Sequence, residues 1–413
     1  MEDVVVIGAG IVGACAALNL AQRGMRVRIV DCAPPGSGCS FGNAGLIAVD
    51  HVAPLASPET MASLSRMLLR RDSPLRLHKR SLPRMAPWML EFAAQAQRPR
   101  FRRNTRALAS LVTGAAQAWR RLLDRHIAAE LFRDIGSLYV FEQPVAHATE
   151  RAQLDLLDRH GVRYETLSAE RVRRDYLPSL TPHISHARYF PGMASVTNPQ
   201  QVVVRIFEAA LAAGASFTSA AVDALRALPD GRIGVTLNGQ TQPAAKVLIA
   251  AGSRSAGLAQ QLGASIPLTN ERGYHVQLAA PSQDTLRVPV SFVERGFTCN
   301  PMAQGIRLAG TVELGARGAP DWRRADLLAT QFQTLFPDER APQVASRWYG
   351  ERPTLPDYLP MIGEMPGARN AFVATGHQHL GLTLGPLTGE LVAQLMARDA
   401  PAVDLAPFRI DRF

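Results

Sequence analysis

The stretch VVVIGAGIVGACAALNLAQRGMRVRIVD, from Val4 to Asp31, constrains the fold more than any other part of this chain. It begins with a continuous apolar run, as expected for a parallel strand that is buried on both faces. Glycines in G-x-G-x-x-G spacing follow, a helical pattern continues to about Gln22, and a second apolar strand ends in an acid. This order predicts a βαβ unit whose first turn binds a dinucleotide.

The three glycines of this turn have separate expected roles. Gly8 permits the tight turn, Gly10 lets the backbone approach a pyrophosphate, and Gly13 lets the helix pack closely on the strand. The helix N-terminus then offers its free N–H groups to the phosphates. Asp31 stands where a carboxylate accepts hydrogen bonds from a ribose.

The segment GSGCSFGNAGLIA, from Gly36 to Ala48, favours FAD over NAD as the dinucleotide. A dehydrogenase that uses only NAD would more often continue with another regular βα unit. A loop rich in Gly, Ser and Asn suits a backbone cradle that leads from the pyrophosphate toward a flavin. A plain surface loop remains the alternative on local grounds.

Length and composition limit the classes of protein to which this chain can belong. The chain has 413 residues, enough for two domains, and its net charge is +10 with Arg supplying nearly all the basic residues. Its four cysteines form no C-x-x-C pair, and the opening MEDVVVIGAG has no basic region before its apolar run. No apolar run is long enough to span a bilayer. We therefore expect a cytoplasmic protein without a signal peptide.

A basic segment from Arg66 to Arg106 lies within a region, residues 58 to 126, that is predicted to be mainly helical with breaks at prolines 74, 83, 87 and 99. One interpretation is peripheral contact with the inner face of the cell membrane. The alternative, which we favour on sequence alone, is a solvated helical face over an apolar stripe. Nucleic acid is not expected, because no binding motif is present and aromatic residues are few.

The second half of the chain predicts a β-rich region. Turn signals DG at Asp230 and NG at Asn238 indicate antiparallel hairpins, and strand patterns alternate with Gly and Pro from Arg272 to Leu314. AKVLIAAGSRSAGLA, beginning at Ala245, reads as a buried strand that ends in small residues and could pass under the same cofactor.

Several motifs together resemble the FAD-dependent D-amino-acid oxidase (DAO) superfamily, and within it the D-amino-acid dehydrogenases. They are the glycine loop, Asp31, SFGNAGLI from Ser40, GSLYVF from Gly136, RGYHV from Arg272, GERPTLPDYLPMIG from Gly350 and TGHQHLGLTLGP from Thr375. They cover nearly the whole chain. The last motif is more similar to the D-hydroxyproline dehydrogenase subgroup.

The resemblance implies a mixed α/β fold in which both domains are discontinuous in sequence. A Rossmann-like FAD-binding domain would comprise residues 1–60, 145–225, 245–265 and 350–413. A β-rich substrate domain would comprise residues 61–144, 226–244 and 266–349. It also implies oxidation of D-amino acids, in particular cyclic ones such as cis-4-hydroxy-D-proline and D-proline, by hydride transfer to flavin N5, with a quinone or another compound as electron acceptor.

The resemblance and the motifs also give a set of expected cofactor contacts. These are Gly8, Gly10, Ile11, Val12, Gly13, Asp31, Cys39, Ser40, Asn43, Ala44, Gly45, Leu46, Val222, Ala251, Gly252, Gly376, His377, Gln378, His379, Leu380, Gly381, Leu382 and Thr383. In the family, the Gly-His turn lies along the flavin ring and the following helix N-terminus points at its pyrimidine edge. Gly376, Gly381 and Gly385 would allow that approach.

Three residues are expected to act on the substrate. Arg352 corresponds to the guanidinium that binds the substrate carboxylate, for which its planar fork is well suited. Tyr274 could place its hydroxyl on the same carboxylate, and His379 could donate to flavin or substrate. Structural roles stay open for all three, including a pairing of Arg352 with Glu351 or Asp357. No metal site is expected, because His377 and His379 have no evident third ligand.

Alternatives to D-hydroxyproline oxidation remain. They are a broad D-amino-acid dehydrogenase of D-alanine type, a glycine- or sarcosine-type oxidase, and a non-catalytic flavin-binding subunit or RNA-modification module. The C-terminal motifs hold no Cys for a covalent flavin bond, and the complete motif around Arg352 argues against the non-catalytic alternative.

Overall fold

The structure is a computed structural model that describes residues 3–69, 73, 75–181, 183–279, 285–316, 318–337 and 343–413. Its α-helices are α1 Ile11–Gln22, α2 Pro58–Leu69, α3 Leu82–Gln95, α4 Arg98–Asp124, α5 His147–Arg159, α6 Ala169–Asp175, α7 Pro199–Ala212, α8 Ser255–Gln261, α9 Arg323–Leu335 and α10 Gly381–Met396.

The strands of the first half of the chain are β1 Asp3–Ile7, β2 Arg26–Asp31, β3 Leu46–Ile47, β4 Leu75–Leu77, β5 Phe132–Arg133, β6 Ser137–Phe141, β7 Glu165–Ser168, β8 His186–Phe190 and β9 Ala194–Val196. Those of the second half are β10 Ser216–Ser219, β11 Val222–Ala227, β12 Ile233–Leu237, β13 Gln240–Ala244, β14 Lys246–Ile249, β15 Thr269–Leu278, β16 Val290–Phe292, β17 Phe297–Met302, β18 Gly305–Leu314, β19 Val344–Thr354, β20 Met361–Met365 and β21 Ala368–Thr375.

A six-stranded sheet in the order β10-β2-β1-β14-β21-β20 forms the centre of the cofactor-binding half. Five of its strands are parallel, and β20 pairs antiparallel with β21. Because β1 and β14 are covered on both faces, they consist almost wholly of buried apolar residues. The βαβ unit predicted from the glycine turn is thereby confirmed, with a strand from the far end of the chain beside it.

Helix α10 packs directly on α1 on one face of this sheet. A Cβ atom on Gly385 would lie 2.6 Å from Ile11 Cγ1, and one on Gly389 would lie 2.5 Å from the Cys15 backbone. These glycines therefore let two helices approach each other. The expectation that Gly385 serves a close approach to the flavin is wrong, because its open side is occupied by α1.

A large mixed sheet in the order β19-β15-β18-β17-β16-β6-β8-β7, with β4 beside β18, forms the other half. The long strands β15, β18 and β19 pair antiparallel, and β19 borders the cavity described below. A separate three-stranded sheet contains β11, β12 and β13, joined by the predicted DG and NG turns. The mixed α/β fold class and the β-rich region are confirmed.

The sheets divide the sequence differently from the predicted domain ranges. Strands β7 and β8 were assigned to the cofactor domain, but β8 pairs with β6 and β7 pairs with β8 in the large sheet. Strands β12 and β13, assigned to the substrate domain, share an apolar cluster with the six-stranded sheet. Helix α4 packs against the cofactor half, where Trp119 Nε1 donates to the Thr383 carbonyl at 3.1 Å. These contacts join elements that are distant in the chain, and the predicted domain ranges stay a prediction.

Prolines affect the helices less than the sequence suggested. Pro83 and Pro99 lie in the first turns of α3 and α4, where a missing N–H group costs nothing. Pro87 lies inside α3, so the predicted break there is wrong. Its side chain faces solvent, where water can satisfy the carbonyl that loses its helical partner. Pro74 lies outside the described residues.

Candidate active site

A cavity of about 1020 Å³ opens where the parallel strands β1, β2 and β14 end. Ligands of open α/β sheets bind at this edge, outside the carboxyl ends of the strands. The cavity extends from the first turn, at Gly8, to the turn before α10, at Gln378, and β19 borders it through Trp348. The first and last parts of the chain therefore share one site.

Fifteen of the expected cofactor contacts line this cavity. They are Gly8, Gly10, Ile11, Val12, Asp31, Cys39, Ser40, Asn43, Val222, Ala251, Gly252, His377, Gln378, Gly381 and Leu382. The others are not part of its wall: Gly13, Ala44, Gly45, Leu46, Gly376, His379, Leu380 and Thr383. Two of these eight have clear packing roles, since Gly13 contacts the first turn and Gly376 contacts Leu355.

The glycine loop has the geometry of a phosphate cradle. A Cβ on Gly8 would meet the Ala250 carbonyl oxygen at 2.4 Å, and one on Gly13 would meet the Gly8 carbonyl oxygen at 1.9 Å. A Cβ on Gly10 would meet only Ser40 Oγ, at 3.5 Å, so this side of the loop is open. The first turn of α1 holds no acidic residue and faces the cavity. Its N-cap residue, Gly10, has no side chain, and Ser40 Oγ accepts a hydrogen bond from Ile11 N at 3.1 Å.

Asp31 supports the same turn from the end of β2. Its carboxylate accepts hydrogen bonds from Ala9 N at 2.7 Å and from Ala33 N at 3.0 Å. These bonds fix the loop that carries Gly8 and Gly10, and they also hold the carboxylate at the rim of the cavity. Its predicted contact with a ribose stays a prediction.

The SFGNAG loop is held against the large sheet by a buried arginine. Arg307 is 8% exposed and donates to the Phe41 carbonyl at 2.8 Å and the Asn43 carbonyl at 2.9 Å. Burial lowers the pKa of Arg307 to about 10. His275 Nδ1 lies 3.2 Å from the Gly42 carbonyl oxygen, and burial, assisted by Arg307, lowers the pKa of His275 to about 3. A neutral His275 donates to that carbonyl.

The turn before α10 is largely buried and is held by hydrogen bonds. His377 Nε2 lies 3.0 Å from the Thr388 hydroxyl, and burial lowers the pKa of His377 to about 4. Gln378 N donates to the Pro353 carbonyl at 3.2 Å, and its side-chain amide donates to the Tyr358 carbonyl. A Cβ on Gly381 would meet no atom closer than 3.7 Å, which leaves room at the helix N-terminus.

Arg352 projects from β19 and pairs with Glu271 on β15. Its NH1 lies 2.9 Å from Glu271 Oε1, and the other carboxylate oxygen accepts from the hydroxyls of Thr354 and Tyr358, each at 3.3 Å. The guanidinium lies over Gly273, whose missing side chain makes the space. The alternative partners considered from sequence are engaged elsewhere: Glu351 with Arg272, and Asp357 with Arg412.

Tyr274 lies on the opposite face of β15 from Arg352. Successive side chains of a strand point to opposite faces, and Glu271, Gly273 and His275 take the face on which the Arg352 guanidinium lies. The Tyr274 hydroxyl donates to Glu313 at 2.6 Å and accepts from Asp321 N at 3.0 Å. The structure thus does not bring Tyr274 together with Arg352, and its predicted substrate contact is at odds with this geometry.

His379 lies near Arg352 and in contact with a second histidine. Its Nε2 is 3.2 Å from His51 Nδ1, and His51 Nε2 is 2.8 Å from the Tyr139 hydroxyl. Burial, with His51 and Arg352 nearby, holds the pKa of His379 well below its usual value. His379 is therefore a neutral hydrogen-bonding group.

Sequence reasoning missed four residues of this site: Glu271, His51, Arg307 and Trp348. A charged residue inside an apolar strand was the available signal for Glu271 and Arg307. The ring of Trp348 stacks on His275 with centroids 5.1 Å apart and lines the cavity. Across the described residues, no three His, Cys, Asp or Glu side chains converge in a way that could hold a metal ion.

Comparison with known proteins decides the family. The model of the DAO family, described as FAD dependent oxidoreductase, matches residues 3–395. The chain belongs to this family. FAD is accordingly its cofactor, and the open side at Gly10, the first helical turn of α1 without an acidic residue and the adjoining cavity fit a dinucleotide. The sequence-based expectation of FAD is confirmed.

Similar DAO-family members cover the full length of the chain. It is 31% identical to a D-amino-acid oxidase of Bradyrhizobium diazoefficiens, over 100% of this chain and 99% of the relative. It is 33% identical to D-amino acid dehydrogenase 2 of Ralstonia nicotianae, over 99% of this chain and 100% of the relative. The L-proline dehydrogenase structure from P. horikoshii has a TM-score of 0.77 at 17% identity, covering 100% of this chain and 97% of that one, and shows the shared fold.

Proposed function

We propose that this DAO-family oxidoreductase oxidises D-amino acids, and that cyclic ones such as cis-4-hydroxy-D-proline and D-proline are preferred. The ion pair of Arg352 with Glu271 beside the cofactor cavity carries the proposal. Two relatives aligned over their full length are named for D-amino-acid oxidation. The preference for cyclic substrates rests on the resemblance of the GHQHLGLTLGP turn to the D-hydroxyproline dehydrogenases.

Arg352 would bind the substrate carboxylate. A guanidinium has five N–H donors in a planar fork, and the bond to Glu271 engages NH1. Glu271 fixes the orientation of the fork, and Gly273 leaves the space in which it lies. Holding the carboxylate there would place the α-carbon beside the cofactor, and FAD when bound accepts the hydride from it.

A substrate panel tests this function. Purified protein supplied with FAD is assayed by dye reduction with D- and L-forms of alanine, proline and 4-hydroxyproline, and with glycine and sarcosine. We expect activity with D-amino acids and the largest kcat/KM with cyclic ones. Equal or greater activity with glycine or sarcosine would favour the oxidase alternative, and no activity with any of them would favour the non-catalytic one.

The electron acceptor that we propose is a quinone in a membrane, reached through helix α3. No helix in the described part of the chain has the length and apolar character to cross a bilayer. The outer face of α3 is nevertheless apolar: Leu82 is 36% exposed and Leu90 73% exposed, and Ala86 lies between them at helical spacing. Exposed Arg80 and Arg84 flank this face.

The inner face of α3 connects this surface to the site. Trp88 and Phe92 stack with centroids 5.4 Å apart, and Phe92 lies edge-on to Tyr358 at 5.8 Å. Tyr358 in turn donates to Glu271, the partner of Arg352. An apolar helix face between arginines suits the boundary of an anionic bilayer. Part of the basic segment, Arg70 and Arg71, lies outside the described residues, as do the side chains of Arg66 and Lys79.

A further inference from the structure

A chain of hydrogen-bonded side chains begins at His379, which lies near Arg352 and outside the wall of the cofactor cavity. His379 Nε2 is 3.2 Å from His51 Nδ1, and the two rings meet edge-on with centroids 5.2 Å apart. The other nitrogen of His51, Nε2, is 2.8 Å from the Tyr139 hydroxyl. His51 and Tyr139 come from the loop after β3 and from β6, so the fold itself assembles the chain.

A buried carboxylate stands at the far end of this chain. Asp50 is 7% exposed, its Oδ2 lies 3.8 Å from His51 Nε2, and its Oδ1 has no hydrogen-bond partner among the described residues. A buried anion is costly unless a positive or donor group compensates it. Burial and the charge of Asp50 raise the pKa of Tyr139 well above its usual value, so that Tyr139 keeps its proton.

The position of Asp50 assigns the tautomers of both histidines. His51 Nε2 faces a carboxylate and a hydroxyl oxygen, so it carries the proton, because a lone pair there would be repelled by the anion. His51 Nδ1 then accepts from the N–H of His379 Nε2. The remaining nitrogen of His379, Nδ1, keeps its lone pair and can accept a proton.

Electrostatics gives this chain a direction. Arg352 and His51 are the charged and titratable groups that act on His379, and with burial they make it a poor place to retain a positive charge. His51 lies beside Asp50 instead, and its side chain is 34% exposed. His51 is the hydrogen-bonded neighbour to which His379 can pass a proton, and its exposure lets water remove that proton.

We propose that His379 and His51 form a relay that removes a proton from the amino group of the substrate, with Asp50 as counter-ion and Tyr139 as positioning residue. The inference rests on the proposed function, which supplies the amine. The N–H bond of the substrate ammonium breaks, nitrogen keeps the electron pair, and His379 Nδ1 takes the proton. The proton on His379 Nε2 passes to His51 Nδ1, and His51 releases one to water.

The relay gives the substrate what hydride loss requires. Only a neutral amine has the lone pair that stabilises positive charge at the α-carbon as the hydride leaves. After the product has left, exchange with water restores the tautomers. A positioned general base commonly contributes about 10²–10⁴-fold to a rate.

Replacing His51 by Asn separates proton transfer from positioning. The Asn side-chain oxygen can accept from His379 Nε2–H and keep its tautomer, but it cannot take up a proton. For His51→Asn we expect kcat/KM with the best D-amino acid to fall roughly 10²–10⁴-fold at pH 7. The loss should shrink as the pH approaches the pKa of the substrate amine, and the flavin absorbance should be retained. Asp50→Asn should give a smaller loss with the same pH dependence.

A matched control is His126→Asn, since His126 is exposed, lies outside the site and has a positive φ that Asn tolerates. Its pH profile should equal that of the wild type. A pH-independent loss in His51→Asn, or none, would overturn the relay while leaving the proposed function intact. If His51→Asn loses its FAD, Asp50→Asn decides, and a wild-type profile there overturns the relay. A wild-type protein inactive with every D-amino acid overturns the proposed function, and the relay with it.

Discussion

At the scale of single residues, substitution of Arg352 is the most direct test of the proposed function. Removing it from a hydrogen-bonded charge pair costs about 2–5 kcal/mol in binding free energy. For Arg352→Ala we therefore expect kcat/KM to fall by about two to four orders of magnitude. Arg352→Lys should restore only part of the lost kcat/KM, because an ammonium group cannot reproduce the planar fork of N–H donors of a guanidinium. Steady-state dye reduction with an accepted D-amino acid measures both.

The same variants separate substrate binding from structure. Arg232→Ala is a suitable control, because it removes an exposed arginine that pairs with Asp230 on a hairpin turn. FAD absorbance should persist in all three variants. If Arg352→Ala loses FAD together with activity, Arg352 has a structural role. Near-normal kcat/KM would remove it from the substrate site.

His377 provides a second residue-scale prediction, concerning acid stability. Its pKa is lowered from 6.5 to about 4 by burial, so the unfolded chain binds more protons between these values. The neutral form stabilises the fold fully above pH 6.5, and this contribution is lost as the pH falls toward 4. Between pH 7.5 and pH 5 it should account for about 2 kcal/mol of the loss in the free energy of unfolding.

His377→Gln should reduce that loss, since Gln can bond to Thr388 without titrating. His126→Gln, an exposed histidine, should leave the pH dependence unchanged. Urea unfolding of the three proteins at both pH values gives the comparison. An equal pH dependence in wild type and His377→Gln would contradict the assignment.

Site residues were predicted well where their contacts are local in sequence, and poorly where the contacts join residues on neighbouring strands that are distant in the chain. Gly8, Gly10 and Asp31 follow from one βαβ unit. The Arg352–Glu271 pair depends on the register of β15 with β19, which joins residues 81 positions apart. Tyr274 was placed on the wrong face for the same reason.

At the scale of secondary structure elements, α3 carries the membrane proposal. Burying a Leu side chain contributes about 1.5–3 kcal/mol, and each basic residue near an anionic surface about 1 kcal/mol, screened by salt. Leu90→Glu should therefore weaken sedimentation with anionic vesicles at least tenfold. Leu211→Glu is the matched control, because Leu211 is also exposed but lies on α7.

The salt dependence of vesicle binding tests the contribution of the basic residues. Binding of the wild type should decline between low and high salt, since arginines contribute part of it. No binding to anionic vesicles at low salt would end the proposal, and the solvated face favoured from sequence would then describe α3. Equal weakening by both Leu variants would point to nonspecific association.

Helix α3 also shows which features of an element could not be predicted from its sequence. Its apolar residues were visible in the sequence, but which of them are buried depends on Tyr358. That residue lies 266 positions beyond Phe92 and contacts its ring edge-on. Pro87 was predicted to break the helix. Whether a helix tolerates an interior proline depends on whether water can reach the carbonyl that loses its partner, and only the tertiary structure defines that exposure.

At the scale of the whole molecule, one cavity joins both ends of the chain. The first turn, residues Gly8 to Val12, and the start of α10 line it together, so a ligand there holds distant segments in place. A ligand that binds only the folded state stabilises it by about 2.7 kcal/mol at one hundred times its Kd. FAD should thus raise the melting temperature of the whole protein.

Two neighbouring glycines allow cofactor binding to be separated from folding. A Cβ on Gly10 clears the protein, with Ser40 Oγ at 3.5 Å, whereas one on Gly13 would lie 1.9 Å from the Gly8 carbonyl oxygen. We expect Gly10→Ala to keep the melting temperature of the FAD-free protein while weakening its stabilisation by FAD, because the methyl group enters the space for the pyrophosphate. Gly13→Ala should lower the melting temperature even without FAD. Thermal unfolding with and without FAD measures both effects, and acid precipitation should release the yellow cofactor from wild type into the supernatant. A Gly10→Ala protein with undiminished FAD stabilisation would show that the pyrophosphate does not approach this loop.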